Sequence, residues 1–181
     1  MSRPFIPDKG LLITGLMISD KSLFDKVCSD LKNLFGNAVL ISRWNDFTHS
    51  DYYKPEMGPD LKKRFILFKN PVCQDSLAGI KLGSTDIENF YLENGKRRVN
   101  IDPGILTKDK LVLSTFKNYS HRIYLGRSVF AEVALVYEKC GFSPLDWTYP
   151  DYKTDEAIGF FELARKYLIF LQAAQNLVNF E

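Results

Sequence analysis

The side chains best suited to chemistry crowd into one stretch of this chain, KRRVNIDPGILTKDKLVLSTFKNYSHRIYLG, from Lys96 to Gly126. Eight basic residues lie in or beside it: Lys96, Arg97, Arg98, Lys108, Lys110, Lys117, Arg122 and Arg127. Between Glu93 and Arg127 they face three acids, Glu93, Asp102 and Asp109, a local charge of +5. The whole chain carries +2, so the remainder sums to −3 and the positive potential is local. A cationic patch threaded with polar groups suits an anionic small molecule, whether phosphorylated, nucleotide-like or carboxylated. The pattern specifies a charge, not a reaction.

Individual residues carry alternatives. On a strand expected over Arg98–Asp102, Arg98, Asn100 and Asp102 share one face while Val99 and Ile101 turn to the core. That face could grip a polar ligand. Equally, Asp102-Pro103-Gly104 reads as turn chemistry and Arg98 as an exposed ion-pair partner. Lys110 and Lys117 share a face if their segment is helical; lysine meets phosphate as a point charge, and a desolvated lysine can serve as base or nucleophile. A solvated basic face is the plain alternative. His121 and Arg122 open a strand and so point to opposite faces. Arg122 shares its face with Tyr124, and Glu132 on the next strand is within its reach, a pairing more often structural than catalytic. Trp147, Tyr149 and Tyr152 could stack on a planar ring or pin a chain crossing beside Pro150. Proton transfer would fall to His121, Asp102 or Glu56.

The loop 46–58 sets Asp46, His49, Asp51 and Glu56 among Phe47, Tyr52 and Tyr53. No HExxH or HxH spacing occurs and the chain has two histidines, so no metal site is expected. Glu56-Met57-Gly58 reads better as a loop that folds over a ligand. There is no Gly-x-Ser-x-Gly, and no cysteine has an obvious histidine partner, which leaves serine and cysteine hydrolase chemistry without support.

The elements that must position these residues follow from periodicity. Leu11–Ser19 reads as a buried strand. Asp20 caps a helix with Leu23, Phe24, Val27, Leu31, Leu34 and Phe35 on one face, ended by Gly36. Ala38–Trp44 and Lys63–Phe68 read as strands. A helix after Pro71 carries Leu77, Ile80, Ser84, Ile87 and Tyr91, and Asn94-Gly95 turns into the strand Arg98–Asp102. This order predicts an α+β fold with a ferredoxin-like βαββαβ core. Thr107 to Lys117 reads as a short helix or, through Leu111-Val112-Leu113, a strand. His121–Leu125 and Val129–Tyr137 form a hairpin across Gly126-Arg127-Ser128, and Glu138–Asp146 is a turn-rich exit. Thr154 caps a C-terminal helix whose stripe is Ala157, Phe160, Phe161, Ala164, Leu168, Leu171 and Val178. Ile158, Tyr167, Ile169 and Phe170 lie off that stripe, so the helix is either enclosed or turns a second face to another copy of the chain.

The 181 residues fit one domain: an N-terminal arm (1–10), a ferredoxin-like half (11–105), a hairpin and aromatic segment (106–152) and the C-terminal helix (153–181). Three cysteines, far apart and without a CxxC, argue for a reducing compartment. With no signal-peptide core and no stretch of roughly 20 apolar residues, a cytoplasmic protein without membrane association is expected.

The segments DYYKPEMG (51–58), IKLGSTDIE (80–88), KRRVNIDPGILT (96–107), KLVLSTFKNYSHRIYLG (110–126), AEVALVY (131–137) and WTYPDY (147–152) resemble a bacterial family known only as a domain of unknown function, number 4416. The resemblance runs from the first strand into the last helix. Departures are Ile105, where the family tends to Tyr, and Phe116-Lys117-Asn118, where it tends to Thr-Lys-Asp. The resemblance implies no activity. A GTP-binding assignment attached to some members finds no G-x-x-x-x-G-K-[ST] here; the nearest fragment is Asn94-Gly95-Lys96-Arg97.

Three classes of function fit these residues. The first is a small-molecule site, enzymatic or not, with Arg98, Lys110, Lys117 and Arg122 supplying charge. The second is a protein that assembles through its apolar terminal helix. The third, an RNA-binding sheet, is weakened by the low net charge and the absence of alternating surface aromatics.

Overall fold

The computed structural model describes residues 3–48, 50–139 and 141–178. His49 of the 46–58 loop and Cys140 lie outside the described residues, as does the side chain of Val178 on the C-terminal stripe. The elements run β1 (Gly10–Ile18), α1 (Phe24–Phe35), β2 (Ala38–Ile41), β3 (Asn45–Asp46), α2 (Lys54–Met57), β4 (Lys62–Val72), α3 (Leu77–Phe90), β5 (Val99–Leu106), β6 (Lys110–Thr115), β7 (Ile123–Gly126), β8 (Val129–Glu138), β9 (Gly141–Pro144) and α4 (Asp155–Val178). All the strands join one sheet of order β2-β4-β1-β5-β6-β8-β7, with β3 added to β4 and β9 to β8. Every pairing is antiparallel. The fold is α+β.

β1 is buried along its whole length because both faces of the sheet are covered. On one face Leu12, Leu16 and Ile18 pack with Ile66, Phe68, Val99 and Ile101 under Val27 and Leu31 of α1 and Ile87 of α3. On the other, Leu11, Ile13, Phe65, Leu67, Leu106 and Leu111 meet Phe160, Phe161, Ala164 and Leu168 of α4. The strand period of two therefore sends Lys63, Asn100 and Asp102 to the α4 side.

Several boundaries depart from the sequence-based expectation. β2 stops at Ile41 rather than Trp44: the Ser42 N–H still donates to the Phe65 carbonyl at 2.9 Å, but the Phe65 N–H is taken by the Ser42 hydroxyl at 2.8 Å instead of by a backbone carbonyl. Asp102-Pro103-Gly104 is not a turn: β5 runs through it to Leu106. The N–H of Ile101 is bonded to Glu88 and its C=O to Lys81, so both point away from β1. By alternation Pro103 faces the same way. β6 pairs only with Gly104–Leu106, so the missing proline N–H costs no rung of the ladder. Residues 110–115 are a strand, which removes the helical reading of Lys110 to Lys117. The exit after Glu138 contains β9, paired with β8.

The hairpin between β7 and β8 is the one expected. Arg127 and Ser128 hold φ of 55° and 62°, the left-handed pair a two-residue hairpin turn needs. Thr154 caps α4 by accepting the Ala157 N–H at 3.2 Å. Among the described residues no helix is long and apolar enough to cross a membrane.

Candidate functional site

Lys63 comes from β4, where it alternates with Phe65 and Leu67 and so must face α4. Its side chain is 7% exposed, with Nζ 2.6 Å from Asp151 Oδ2 and 3.6 Å from Asp102 Oδ2. Burial alone would depress the lysine, but the two carboxylates together raise its pKa above the ordinary value. Burial likewise opposes the Asp102 carboxylate; Lys63, Lys81 and the Asn100 amide overcome it and hold that pKa below the usual range. The buried Tyr152 ring lies 4.8 Å from the Lys63 ammonium. Gly15 of β1 makes room for this group, since a Cβ there would stand 2.6 Å from the Tyr152 hydroxyl.

From Asp102 the network continues along β5. Asn100 Nδ2 donates to Asp102 Oδ2 at 3.0 Å, and Asn100 Oδ1 accepts from Arg97 at 2.9 Å. The Arg97 guanidinium then forks onto both oxygens of Glu56 in α2, at 2.7 and 2.6 Å. This bidentate bond holds Glu56 below the ordinary carboxylate range. It also ties the 46–58 loop to the sheet.

Two small cavities, of about 110 and 90 Å³, open onto this floor and share Tyr53, Asp102, Lys117 and Tyr149 as walls. Burial pushes Tyr149 up to about 12 and Tyr53 higher still, so both hydroxyls stay protonated at ordinary pH. Lys117, just past β6, lays its ammonium 3.6 Å from the centre of the Tyr52 ring. Among the described residues it has no carboxylate within ion-pair distance.

A second cluster adjoins the cleft through Tyr149. His121 and Arg122 precede β7 instead of opening it, so their side chains do not diverge as strand neighbours would; both reach Glu132 of β8. His121 Nε2 and Arg122 Nε lie 2.8 and 2.7 Å from the same oxygen, Glu132 Oε2, on a side chain 1% exposed. Arg122 also donates to the Tyr149 hydroxyl at 2.9 Å. The His121 ring is stacked between Tyr119 and Trp147, and the Trp147 indole donates to the Val133 carbonyl.

Of the residues singled out by sequence, Asn100, Asp102, Lys117 and Tyr149 therefore share the cavity walls. His121, Arg122, Glu132 and Trp147 form the adjoining cluster, and Glu56 anchors the loop. The remaining three lie elsewhere. Arg98 pairs with Asp20 and Glu93, Lys110 is exposed at the start of β6, and Tyr124 packs on Phe130 at the sheet edge. Lys63, Asp151 and Lys81 line the cavities without having been picked out, while Arg97 and Tyr53 entered only as members of the basic patch and of the 46–58 loop. The signal for Lys63 was available in its parity with Phe65 and Leu67; for Asp151 and Lys81 there was none.

A larger concavity, about 600 Å³, runs between α1 and α3 past Lys26, Asp30, Leu34 and Phe90. None of the sequence candidates reaches it. The described residues contain no group of three or more His, Cys, Asp or Glu placed to hold a metal ion.

Comparison with curated proteins and with solved structures returned no match for this chain. A family profile does match, over residues 8–167, which takes in every group of the cleft and of the adjoining cluster. The chain belongs to the family described as Domain of unknown function (DUF4416).

Proposed function

We propose that the cleft over β5 binds a small organic anion, carboxylated or phosphorylated, with Lys117 as its charge partner. The observation that carries this reading is the state of the cations. Arg97 is committed to Glu56, Lys63 to Asp102 and Asp151, and Lys81 to the Ile101 carbonyl. Arg122 beside them is committed to Glu132. Lys117 alone among the cations on the cavity walls has neither a carboxylate nor a carbonyl partner among the described residues. The cavities fall below the ~300 Å³ typical of drug-sized ligands, which favours a compact ligand over a nucleotide. Of the three proton-transfer candidates only Asp102 lines the cavities.

The test is a thermal-shift screen of small carboxylates and phosphates. A ligand present at a hundred times its dissociation constant adds about 2.7 kcal/mol, a gain of several degrees for a chain of this size. Lys117→Ala, a change at an exposed side chain, is expected to abolish the gain. An equal gain in the variant would end this assignment.

We read β1-α1-β2-β4-α3-β5 as a ferredoxin-like unit, supported by the strand order β2-β4-β1-β5 and by both helices lying on one face. The free Cys28 and Cys73 are in keeping with a cytoplasmic protein. Assembly with a second copy is the alternative reading, favoured by Leu163 and Phe170. These residues lie seven apart on α4, 54% and 66% exposed. RNA binding has less support, because α4 covers the sheet face on which a single strand would stack.

A further inference from the structure

Resting on the reading of the cleft as an anion site, we infer that its ligand is a compact monocarboxylate bearing a hydroxyl or ammonium group close to the carboxylate, a hydroxy acid or an amino acid. The cavity walls are not of one sign. Lys117 and the Asp102 carboxylate line both cavities, so any occupant meets an ammonium and a carboxylate at once. Asp102 is 25% exposed, and its contacts with Asn100 and Lys63 both fall on Oδ2. Oδ1 takes no hydrogen bond from the described residues and is left to accept one from a ligand.

The charge state of the floor is settled by its neighbours. Lys63 and Lys81 keep Asp102 ionised at any ordinary pH. A ligand that offered only an anion would set like charges together and strand a desolvated lone pair. A donor placed beside the ligand's own carboxylate removes both penalties. Valence follows from the same inventory: one uncommitted ammonium matches a single negative charge, whereas a phosphate dianion would face Asp102 with a charge in excess. The rest of the wall suits such a molecule. The protonated hydroxyl of Tyr53 can donate to a carboxylate, and the Tyr53 and Tyr149 rings can flank a short carbon chain.

The experiment is a titration of the full chain, by calorimetry, with matched sets: propanoate, 2-hydroxypropanoate and 2-aminopropanoate, their four- and five-carbon homologues, and inorganic phosphate. The hydroxy or amino member is expected to bind at least about tenfold more tightly than the plain acid, the cost of one unsatisfied polar group. That gap is expected to close in Asp102→Asn, and the better of the two substituted acids identifies the donor. Equal affinity of plain and substituted acids overturns the inference and leaves the anion site standing. So does binding of phosphate alone, provided it depends on Lys117. Absence of all binding overturns both. Asp102→Asn leaves Lys63 one carboxylate short; if circular dichroism shows it unfolded, the wild-type series decides alone.

Discussion

Lys63 sits buried with a carboxylate on either side, and the arrangement holds only while all three groups are charged. Replacing it by Met leaves Asp102 and Asp151 without their common counter-charge, and breaking a buried pair in this way costs about 3–5 kcal/mol. Urea unfolding of Lys63→Met measures the loss. The pH dependence follows from the two shifts. The Lys63 pKa is raised on folding, so its contribution is complete below the unfolded value of about 10.4 and is lost as pH rises through the higher folded value. The Asp102 pKa is depressed, so its contribution is complete above about 3.9 and is lost as pH falls through the lower folded value. In Lys63→Met the chief cause of the depression is gone, and the acid limb of the stability curve is expected to move to higher pH. Superimposable acid limbs would show that the pair does not govern Asp102. At this scale the residue types were legible and their partners were not. Arg97 rather than Arg98 meets Asn100, because the phase of side chains entering β5 is set by the Asn94-Gly95 turn, where both residues adopt positive φ. Charge counting could not show that Lys63, Arg97 and Arg122 would be paired with carboxylates from distant parts of the chain.

β5 pairs with β1 along its whole length but with β6 only from Gly104, and the outer edge of its first half is closed by a helix instead of a strand. Ile101 lies before the start of β6 pairing, so its N–H and C=O would meet only solvent or an apolar wall. α3 supplies the caps from two positions seven residues apart: Glu88 accepts the N–H at 2.6 Å and Lys81 donates to the C=O at 2.9 Å. Glu88→Ala strips a buried amide of its acceptor, expected to cost about 1–3 kcal/mol. Hydrogen exchange at Ile101 reports it directly; unchanged protection there would mean that the helix does not hold the edge. The apolar stripe of α3 was readable from spacing, since Leu77, Ser84 and Ile87 are all buried as a helical period requires. Its polar edge was not, because Lys81 and Glu88 look like ordinary surface residues until a strand edge lies beside them. The 107–117 segment shows the same limit, for a run as short as Leu111-Val112-Leu113 fits a helix or a strand until β5 and β8 pair with it.

α4 is the element on which the whole molecule depends, because it closes the sheet face that would otherwise expose Leu11, Ile13, Phe65 and Leu67. Ile158 and Tyr167, off the expected stripe, pack against that same core, leaving Leu163, Ile169 and Phe170 as the exposed large apolar residues of the described part of α4. If a second copy covers them, light scattering gives a dimer for the wild type and a monomer for Phe170→Glu with unchanged circular dichroism. A monomeric wild type would remove assembly through this face. The chain by itself determined its local elements, the apolar faces of α1, α3 and α4, the β7–β8 hairpin and the residue types available for chemistry, because each of these depends on neighbours a few positions apart. Only the tertiary structure decided which charges would cancel. Lys63, Asp102 and Asp151 come from three separate segments, and a buried charge is stable only where distant parts of the chain bring its partner to within a few ångströms.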